Sequence, residues 1–294
     1  MQQQTTAARA PGAPAVLPPP GQGGEGDGDG IGGLYDKVSH ILSGPYGGNL
    51  HIGLWAEPRE DDTLPRAADR MTDLVADHLM LSRGQHLLDV GSGTGAPALR
   101  IARRHGVEVT GVSVSAVETD RATALARAEG LAERVRFERA DALALPYGAG
   151  SFDAACAVES MSHIRDRAGA LAQIRRVLRP GGRLVVADGM LLPPQGPRPR
   201  EARALDAGPA MHLPPTLEGW RTELRESGLT PLEAVDLSDH WRHSAAQMLR
   251  LMAEARGEFE RAIGAEEFGA ALAGLEQFCG HPDLGYVLLV AARN

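Results

Sequence analysis

The sequence has few cysteines, no long apolar run and no excess of basic residues. Its 294 residues include only two cysteines, Cys156 and Cys279, which cannot form a disulfide framework and are not spaced as metal ligands. We therefore expect a reducing, cytoplasmic location. No apolar run reaches the length of a membrane span, and the first residues lack a signal-peptide core, so we expect neither membrane insertion nor export.

The net charge of the chain indicates which kinds of partner it can bind. The chain has 30 lysine and arginine residues against 38 aspartate and glutamate residues, a formal net charge of −8. Nucleic acid is therefore not an expected partner. Because 43% of the residues are hydrophobic, the chain can bury a full core. The composition indicates a globular enzyme with a small-molecule substrate, and it leaves homo-oligomerisation open.

The N-terminal region divides into two segments. Residues 1–30 combine proline, glycine and acidic residues with little apolar surface, which is typical of a disordered leader. Its acidic run GEGDGDG lacks the terminal glutamate and flanking helices of a calcium loop. Residues 31–80 are predicted to form a helical cap, because apolar residues recur at helical spacing over 34–42 and again over 67–81.

Apolar strand patterns alternate with helical patterns across residues 81–190. We predict strands at 85–90, 107–114, 134–141, 151–159 and 181–189. This alternation predicts a Rossmann-like α/β fold, a mostly parallel sheet of about seven strands with helices on both faces. Residues 191–280 are predicted to be a lid and helical acceptor region with one returning strand, and the helical pattern runs over 244–278. Residues 281–294 are predicted to be the final strand. Ligands of such sheets lie at the carboxyl ends of the strands.

A glycine turn follows the first predicted strand, in the stretch DVGSGTG. Its glycines are Gly91, Gly93 and Gly95. Such a turn lets the backbone approach a ligand and directs helix N–H groups at an anionic group. A dinucleotide site fits less well, because Ser113 stands where an acid should contact the ribose. Asp141, after the third strand, can accept the exocyclic amine of an adenine and lies outside the dinucleotide pattern.

Successive motifs make the sequence recognisable. The stretches DVGSGTG, RADALALPYGAGSFDA and VLRPGGRLVVAD resemble those of class I S-adenosylmethionine (SAM)-dependent methyltransferases. From about residue 35 to the C-terminus, the stretches NLHIGLW, ESMSHIRDR and LGYVLLVAARN are similar to a natural-product subgroup that includes the rebeccamycin sugar O-methyltransferase. The resemblance implies SAM as the cofactor, and it does not identify the acceptor.

The resemblance also implies roles for individual residues in the cofactor site. Asp89 is placed near the amino group of SAM, and Glu118 stands where the subgroup usually carries a glutamine that contacts the ribose hydroxyls. Asp141 and the backbone N–H of Ala142 would frame the adenine. Each of these three residues also has a purely structural alternative. Asp89 could hold the loop together, Glu118 could be a solvated acid at the start of a helix, and Asp141 could cap a turn. The other predicted cofactor contacts are Gly91, Gly93, Gly95, Ser113 and Glu159.

His163 is the predicted general base for a hydroxyl acceptor, with Asp188 orienting or assisting it. Histidine titrates near neutral pH and can take the proton that a hydroxyl loses during methylation. Sugar-methylating relatives resemble this stretch but have two adjacent histidines, and here the first position is Ser162. In the alternative interpretation, His163 caps the following helix and Asp188 simply ends a strand.

Candidate acceptor contacts lie in the N-terminal segment and in the lid. Their positions are Tyr35, Trp55, Met211, His212 and Trp220. Ordinary packing is the alternative for all five. His240 and His243 are three residues apart, but no third ligand is evident in the sequence, so no metal site is predicted.

The sequence therefore predicts a SAM-dependent methyltransferase that acts on a hydroxyl of a bulky secondary metabolite, a glycoside or a polyketide. Methyl transfer to nitrogen or carbon remains open. A second class is a protein that keeps this fold and binds SAM but catalyses a different reaction, such as a cyclisation, because a fold does not fix function. An NAD-dependent oxidoreductase is disfavoured by the motifs.

Overall fold

A computed structural model describes residues 48–49, 51–56, 62–193 and 216–294 of the chain. The strands of this part are β1 His86–Val90, β2 Glu108–Ser113, β3 Val135–Arg139, β4 Phe152–Val158, β5 Leu178–Leu191, β6 Leu229–Asp236 and β7 Leu284–Arg293. The helices are α1 Leu64–Leu79, α2 Ala96–His105, α3 Ala116–Ala128, α4 Arg167–Val177, α5 Leu217–Glu226, α6 Ser238–Glu254, α7 Arg256–Ile263 and α8 Ala265–Cys279. A 3₁₀ turn spans Met161–His163.

All seven strands belong to one sheet in the order β3-β2-β1-β4-β5-β7-β6. The pairs from β3 to β5 are parallel, and β7 runs antiparallel to both of its neighbours. The predicted Rossmann-like class is therefore confirmed. Strand order reverses between β1 and β4, and the carboxyl ends of these two strands form the crevice in which such folds bind ligands.

Helices cover both faces of this sheet. Leu87 and Leu88 are adjacent in β1 and point to opposite faces, and each is fully buried in a separate apolar cluster. A strand buried on both faces needs an almost continuous apolar sequence, which is the pattern that predicted β1. The prediction placed this strand at 85–90, and the structure begins it one residue later.

The predicted helix at 67–81 corresponds to α1. Pro65 occupies its first turn, and the helix ends at Leu79, followed by Met80 in the left-handed conformation with φ 52°. Met71, Val75 and Leu79 are buried on one side, as helical spacing requires. The other predicted cap helix, over 34–42, lies outside the described residues, as does the leader.

The C-terminal part contributes helices and two strands to the same sheet. The predicted helical stretch is divided into α6, α7 and α8, with breaks at Ala255 and Gly264. The predicted returning strand is β6, which pairs with β7. Residues 194–215 of the predicted lid are not described. None of the described helices combines the length and apolar character needed to cross a membrane.

Candidate cofactor and acceptor site

The glycine turn connects β1 to α2 with three residues of positive φ. A Cβ on Gly91 would lie 2.3 Å from Cβ of Ser160, and a Cβ on Gly95 would lie 2.6 Å from Cζ of Phe137. A Cβ on Gly93 would meet no described atom within 4 Å. Gly91 and Gly95 are therefore required by packing, whereas Gly93 borders open space that a ligand can approach.

These two kinds of glycine should respond differently to alanine. Gly91→Ala combines φ 77° with a steric clash, and we expect a loss of at least ~2 kcal/mol of unfolding free energy. Gly93→Ala has φ 48° without a clash, so we expect a loss of about 1 kcal/mol and weaker SAM binding. Chemical denaturation and calorimetric titration measure both effects. Equal stability losses in the two variants would contradict the assignment.

Asp89 is the penultimate residue of β1 and lies two residues before Gly91. Its side chain accepts a hydrogen bond from Sγ of Cys156 at 3.5 Å, and the residue is 5% exposed. Burial raises the pKa of Asp89 to about 6, because a thiol compensates little for lost solvation. A cationic amino group bound nearby would favour the ionised carboxylate.

Ser113 and Glu118 lie together at the carboxyl end of β2. Oγ of Ser113 donates to Oε2 of Glu118 at 2.7 Å. Ser115 caps α3 by accepting the backbone N–H of Glu118 at 3.2 Å. Glu118 is therefore in the first turn of α3, where the helix dipole favours an acid. The structure brings together two of the residues predicted for the ribose side of the cofactor.

Asp141 follows β3 in an exposed turn, and Ala142 beside it is buried. Oδ1 of Asp141 accepts the backbone N–H of Leu143 at 2.9 Å. This bond is the one that the turn-capping alternative requires. A carboxylate has further lone pairs, so the predicted contact with an adenine is compatible with the cap and stays a prediction.

Glu159 follows β4 with φ 49°, a left-handed conformation that is uncommon for a residue other than glycine. Its Oε1 accepts the backbone N–H of Ile52 at 2.7 Å and the hydroxyl of Tyr286 at 3.1 Å. Burial raises the pKa of Glu159 to about 7, and the nearby charge of Asp188 contributes to this increase. Sequence reasoning selected Glu159 but missed both of its partners.

Asp188 holds the loop that carries His163. It is 1% exposed, and its two carboxylate oxygens accept the backbone N–H groups of Ser162 at 3.0 Å and Gly189 at 2.7 Å. Nε2 of His163 lies 3.3 Å from Oγ of Ser162. Asp166 is the N-cap of α4, accepting the N–H of Gly169 at 2.9 Å, so the capping alternative does not account for His163.

The described acceptor candidates are packed against the protein. The indole N–H of Trp55 donates to Oγ of Ser244 at 2.8 Å, and its ring lies 4.3 Å from that of His243. Trp220 is fully buried and donates to the carbonyl of Gly189 at 3.2 Å. These contacts favour the packing alternative for both tryptophans. The other candidates, Tyr35, Met211 and His212, lie outside the described residues.

The histidine pair of α6 also makes protein contacts. Nδ1 of His240 accepts the backbone N–H of Trp55 at 3.1 Å, and His243 lies 3.3 Å from the amide of Gln247. In residues 48–49, 51–56, 62–193 and 216–294, no group of three or more His, Cys, Asp or Glu side chains is arranged to hold a metal ion.

Residues 88–186 match the methyltransferase domain family. The 27-O-demethylrifamycin SV methyltransferase of Amycolatopsis mediterranei is 39% identical over 264 residues, which are 90% of this chain and 96% of that protein. The O-methyltransferase resE of Aspergillus sclerotiorum is 36% identical at the same coverage. The chain belongs to the class I SAM-dependent methyltransferases. The fold of this methyltransferase is also similar to the crystal structure of the [4+2]-cyclase SpnF, with a TM-score of 0.77 and 33% sequence identity. The match covers 95% of this chain and 99% of the SpnF chain.

The residues at this edge fit the cofactor of the family. Gly93 borders open space, and no described side chain caps the N-terminus of α2. Pro97 in the first turn has no N–H, so the backbone N–H groups of Ala96 and Ala98 are the ones that a carboxylate could contact there. Asp89 supplies a buried acid beside the same turn. SAM carries both a carboxylate and a cationic amino group, which correspond to these two features.

Proposed function

We propose that this methyltransferase transfers the methyl group of SAM to a hydroxyl of a bulky secondary metabolite of the glycoside or polyketide type. The observation that supports the proposal is that the loop carrying His163 follows β4 at the carboxyl edge of the sheet and is held by Asp188 through the backbone N–H of Ser162. The names of the rifamycin and resE relatives support an oxygen acceptor. The resemblance to the rebeccamycin subgroup supports a glycoside as one acceptor class.

The cofactor residues of the proposal are those predicted from sequence. Asp89 and the glycine turn would hold the methionine part of SAM, Ser113 and Glu118 the ribose, and Asp141 with the N–H of Ala142 the adenine. Bound SAM supplies an activated methyl group on a sulfonium, so the protein mainly contributes alignment and charge placement. Alignment of reacting groups can contribute roughly 7–11 kcal/mol.

The acceptor hydroxyl must also lose a proton. In our proposal an imidazole nitrogen of His163 takes this proton as the new bond forms, which typically contributes ~10²–10⁴-fold to the rate. Asp188 acts on His163 through the backbone, since it fixes the N–H of the preceding residue, Ser162. Ser162 stands where sugar-methylating relatives have a second histidine, so the proposal assigns the proton transfer to His163 alone.

A second candidate function is a reaction other than methylation, with SAM held for structural reasons. The likeness to the cyclase SpnF across 95% of this chain favours it, because a relative named for a cyclisation has the same fold at 33% identity. The serine at position 162, where sugar-methylating relatives have a histidine, also favours a reaction other than methylation. Transfer to nitrogen or carbon is a further variant of the main proposal.

Incubation with isotopically labelled SAM and panels of glycosides and polyketides tests these alternatives directly. The proposal predicts labelled product bearing an O-methyl group together with S-adenosylhomocysteine (SAH). A cyclised product without label, formed only when cofactor is present, would support the second candidate. Label on nitrogen or carbon would replace the hydroxyl acceptor. Cytoplasmic location and a small-molecule partner belong to the same proposal, supported by the cysteine content and charge.

Asp141→Ala tests the predicted adenine contact. We expect SAM affinity to fall by more than ~1 kcal/mol, the scale of a lost hydrogen bond to a charged group. The fold should persist, because Asp141 is exposed and loses only a turn contact with Leu143. Isothermal titration calorimetry measures the affinity, and Asp120→Ala on the exposed part of α3 is the control. An unchanged affinity would remove Asp141 from the site.

A further inference from the structure

A short N-terminal segment, residues 51–56, packs across two helices. We call this segment the strap. The backbone N–H of Gly53 donates to Oγ of Ser244 in α6 at 2.9 Å, and the N–H of Leu54 donates to the carbonyl of Ala67 in α1 at 2.8 Å. A Cβ on Gly53 would lie 2.3 Å from that of Ala67, so the strap and α1 are in close contact. The middle of the strap is therefore fixed to α1 and α6.

The strap and the residues before it also contact the cofactor edge of the sheet. The carbonyl of Gly48 accepts the hydroxyl of Thr94, inside the glycine turn, at 2.5 Å. The N–H of Ile52, in the strap, donates to Glu159 directly after β4. These contacts lie at the carboxyl ends of β1 and β4, the strands between which the order of the sheet reverses. Gly48 and Ile52 therefore contact the two sides of the crevice proposed for SAM.

The geometry around Glu159 maintains this contact. Its own N–H donates to the carbonyl of Ala187 at 2.8 Å, and the hydroxyl of Tyr286 lies 3.1 Å from both Oε1 of Glu159 and that same carbonyl. Oγ of the next residue, Ser160, donates to the carbonyl of Val90 at 2.7 Å. Hydrogen bonds from residues of β1, β5 and β7 thus hold Glu159 and Ser160 in place. These bonds can maintain the uncommon left-handed φ of Glu159.

We propose that Glu159 is a positioning residue that fastens the strap over the SAM crevice through Ile52 and thereby slows cofactor release. The inference concerns retention of SAM and SAH, and it does not depend on which acceptor atom is methylated. Its contacts need a hydrogen-bond acceptor at Oε1, and a neutral amide oxygen can serve as that acceptor. Alanine removes the acceptor and leaves the buried N–H of Ile52 without it.

Release of SAH measured by stopped-flow fluorescence tests the proposal, with Trp55 in the strap as the reporter. Because alanine leaves the buried N–H of Ile52 without its acceptor, we expect Glu159→Ala to release SAH about 10-fold faster or more. Glu159→Gln should restore release to within ~3-fold of wild type, since its amide oxygen can accept both donors. Asp153→Ala is the matched control, because Asp153 accepts the N–H of His86 at 2.6 Å at the opposite end of β4. This variant should lose stability while keeping the wild-type release rate.

Wild-type release from Glu159→Ala would overturn the proposal, and so would a Glu159→Gln variant as impaired as the alanine variant. A second measurement needs no substitution. If the strap must open for release, saturating SAH should slow hydrogen–deuterium exchange at the amide of Ile52, because ligand binding disfavours the open state. Exchange at Ile52 that is unaffected by SAH would also contradict the proposal. Acceptor turnover is not used, so failure here is distinguishable from failure of the proposed O-methylation.

Discussion

Substitution of His163 with alanine should lower the methyl-transfer rate by ~10²-fold or more, while SAM affinity stays within a factor of a few. The 3₁₀ turn Met161–His163 follows β4 at the carboxyl edge, where the methyl group must be presented. Asp188 holds this turn through the N–H of Ser162, and the substitution leaves that bond in place. The loss should therefore appear in kcat, as expected for an interaction made in the transition state.

The pH profile separates general-base catalysis from a packing role. General-base catalysis requires an unprotonated imidazole, so the rate of the alanine variant should depend less on pH than the wild-type rate. Asp89 and Glu159 titrate in the same range, but they are present in both proteins. His86→Ala is the matched control, because His86 is half-buried at the amino end of β1 and contacts Oγ1 of Thr110 at 2.8 Å. It should cost stability and leave turnover of the folded enzyme intact. Full activity of His163→Ala from pH 6 to 9 would show that alignment alone carries the reaction.

The fold could be predicted because its strands carry strong local signals. β1 is buried on both faces, so its apolar run is continuous, and the glycine turn follows it directly. The stretch predicted to be helical over residues 244–278 is helical in the structure, but it is divided among α6, α7 and α8. Gly264 has φ 91° and separates α7 from α8, and a glycine inside a helical pattern is a recognised break signal.

The contacts of the site could be predicted only between residues that are close together in the sequence. Ser113 and Glu118 are five residues apart and form their hydrogen bond within one strand-to-helix connection. By contrast, Glu159 meets Ile52 across 107 residues of sequence and Tyr286 across 127. No local pattern specifies such pairs, because they depend on how the N-terminal segment and β7 pack at the same edge. Trp220 illustrates the same limit, since the side of α5 that faces the core is set by tertiary packing.

Glu159→Gln should stabilise the cofactor-free protein at pH 8 and have little effect near pH 4.5. Burial raises the pKa of Glu159 from 4.5 to about 7 in the folded protein. A carboxyl group with a raised pKa favours folding while it is protonated in the folded state, so its contribution is complete below the unfolded pKa and is lost as pH rises through about 7. Above pH 7 the wild type retains the full cost of a buried charge, and glutamine never acquires that charge.

The size of this effect follows from the shift and from the environment of the side chain. A shift from 4.5 to about 7 corresponds to at most about 3 kcal/mol, and the partial exposure of Glu159 lowers this value, so we expect about 1–3 kcal/mol at pH 8. Urea denaturation of both proteins from pH 5 to 8 measures the difference directly.

Asp89 also titrates in this range, but its contribution is the same in both proteins and cancels in the comparison. Glu129→Gln at the exposed pair with Arg103 should show no such pH dependence. A wild type that remains the more stable protein at pH 8 would show that the charge of Glu159 is compensated within the fold. The hydrogen bonds from Ile52 and Tyr286 would then have to supply that compensation.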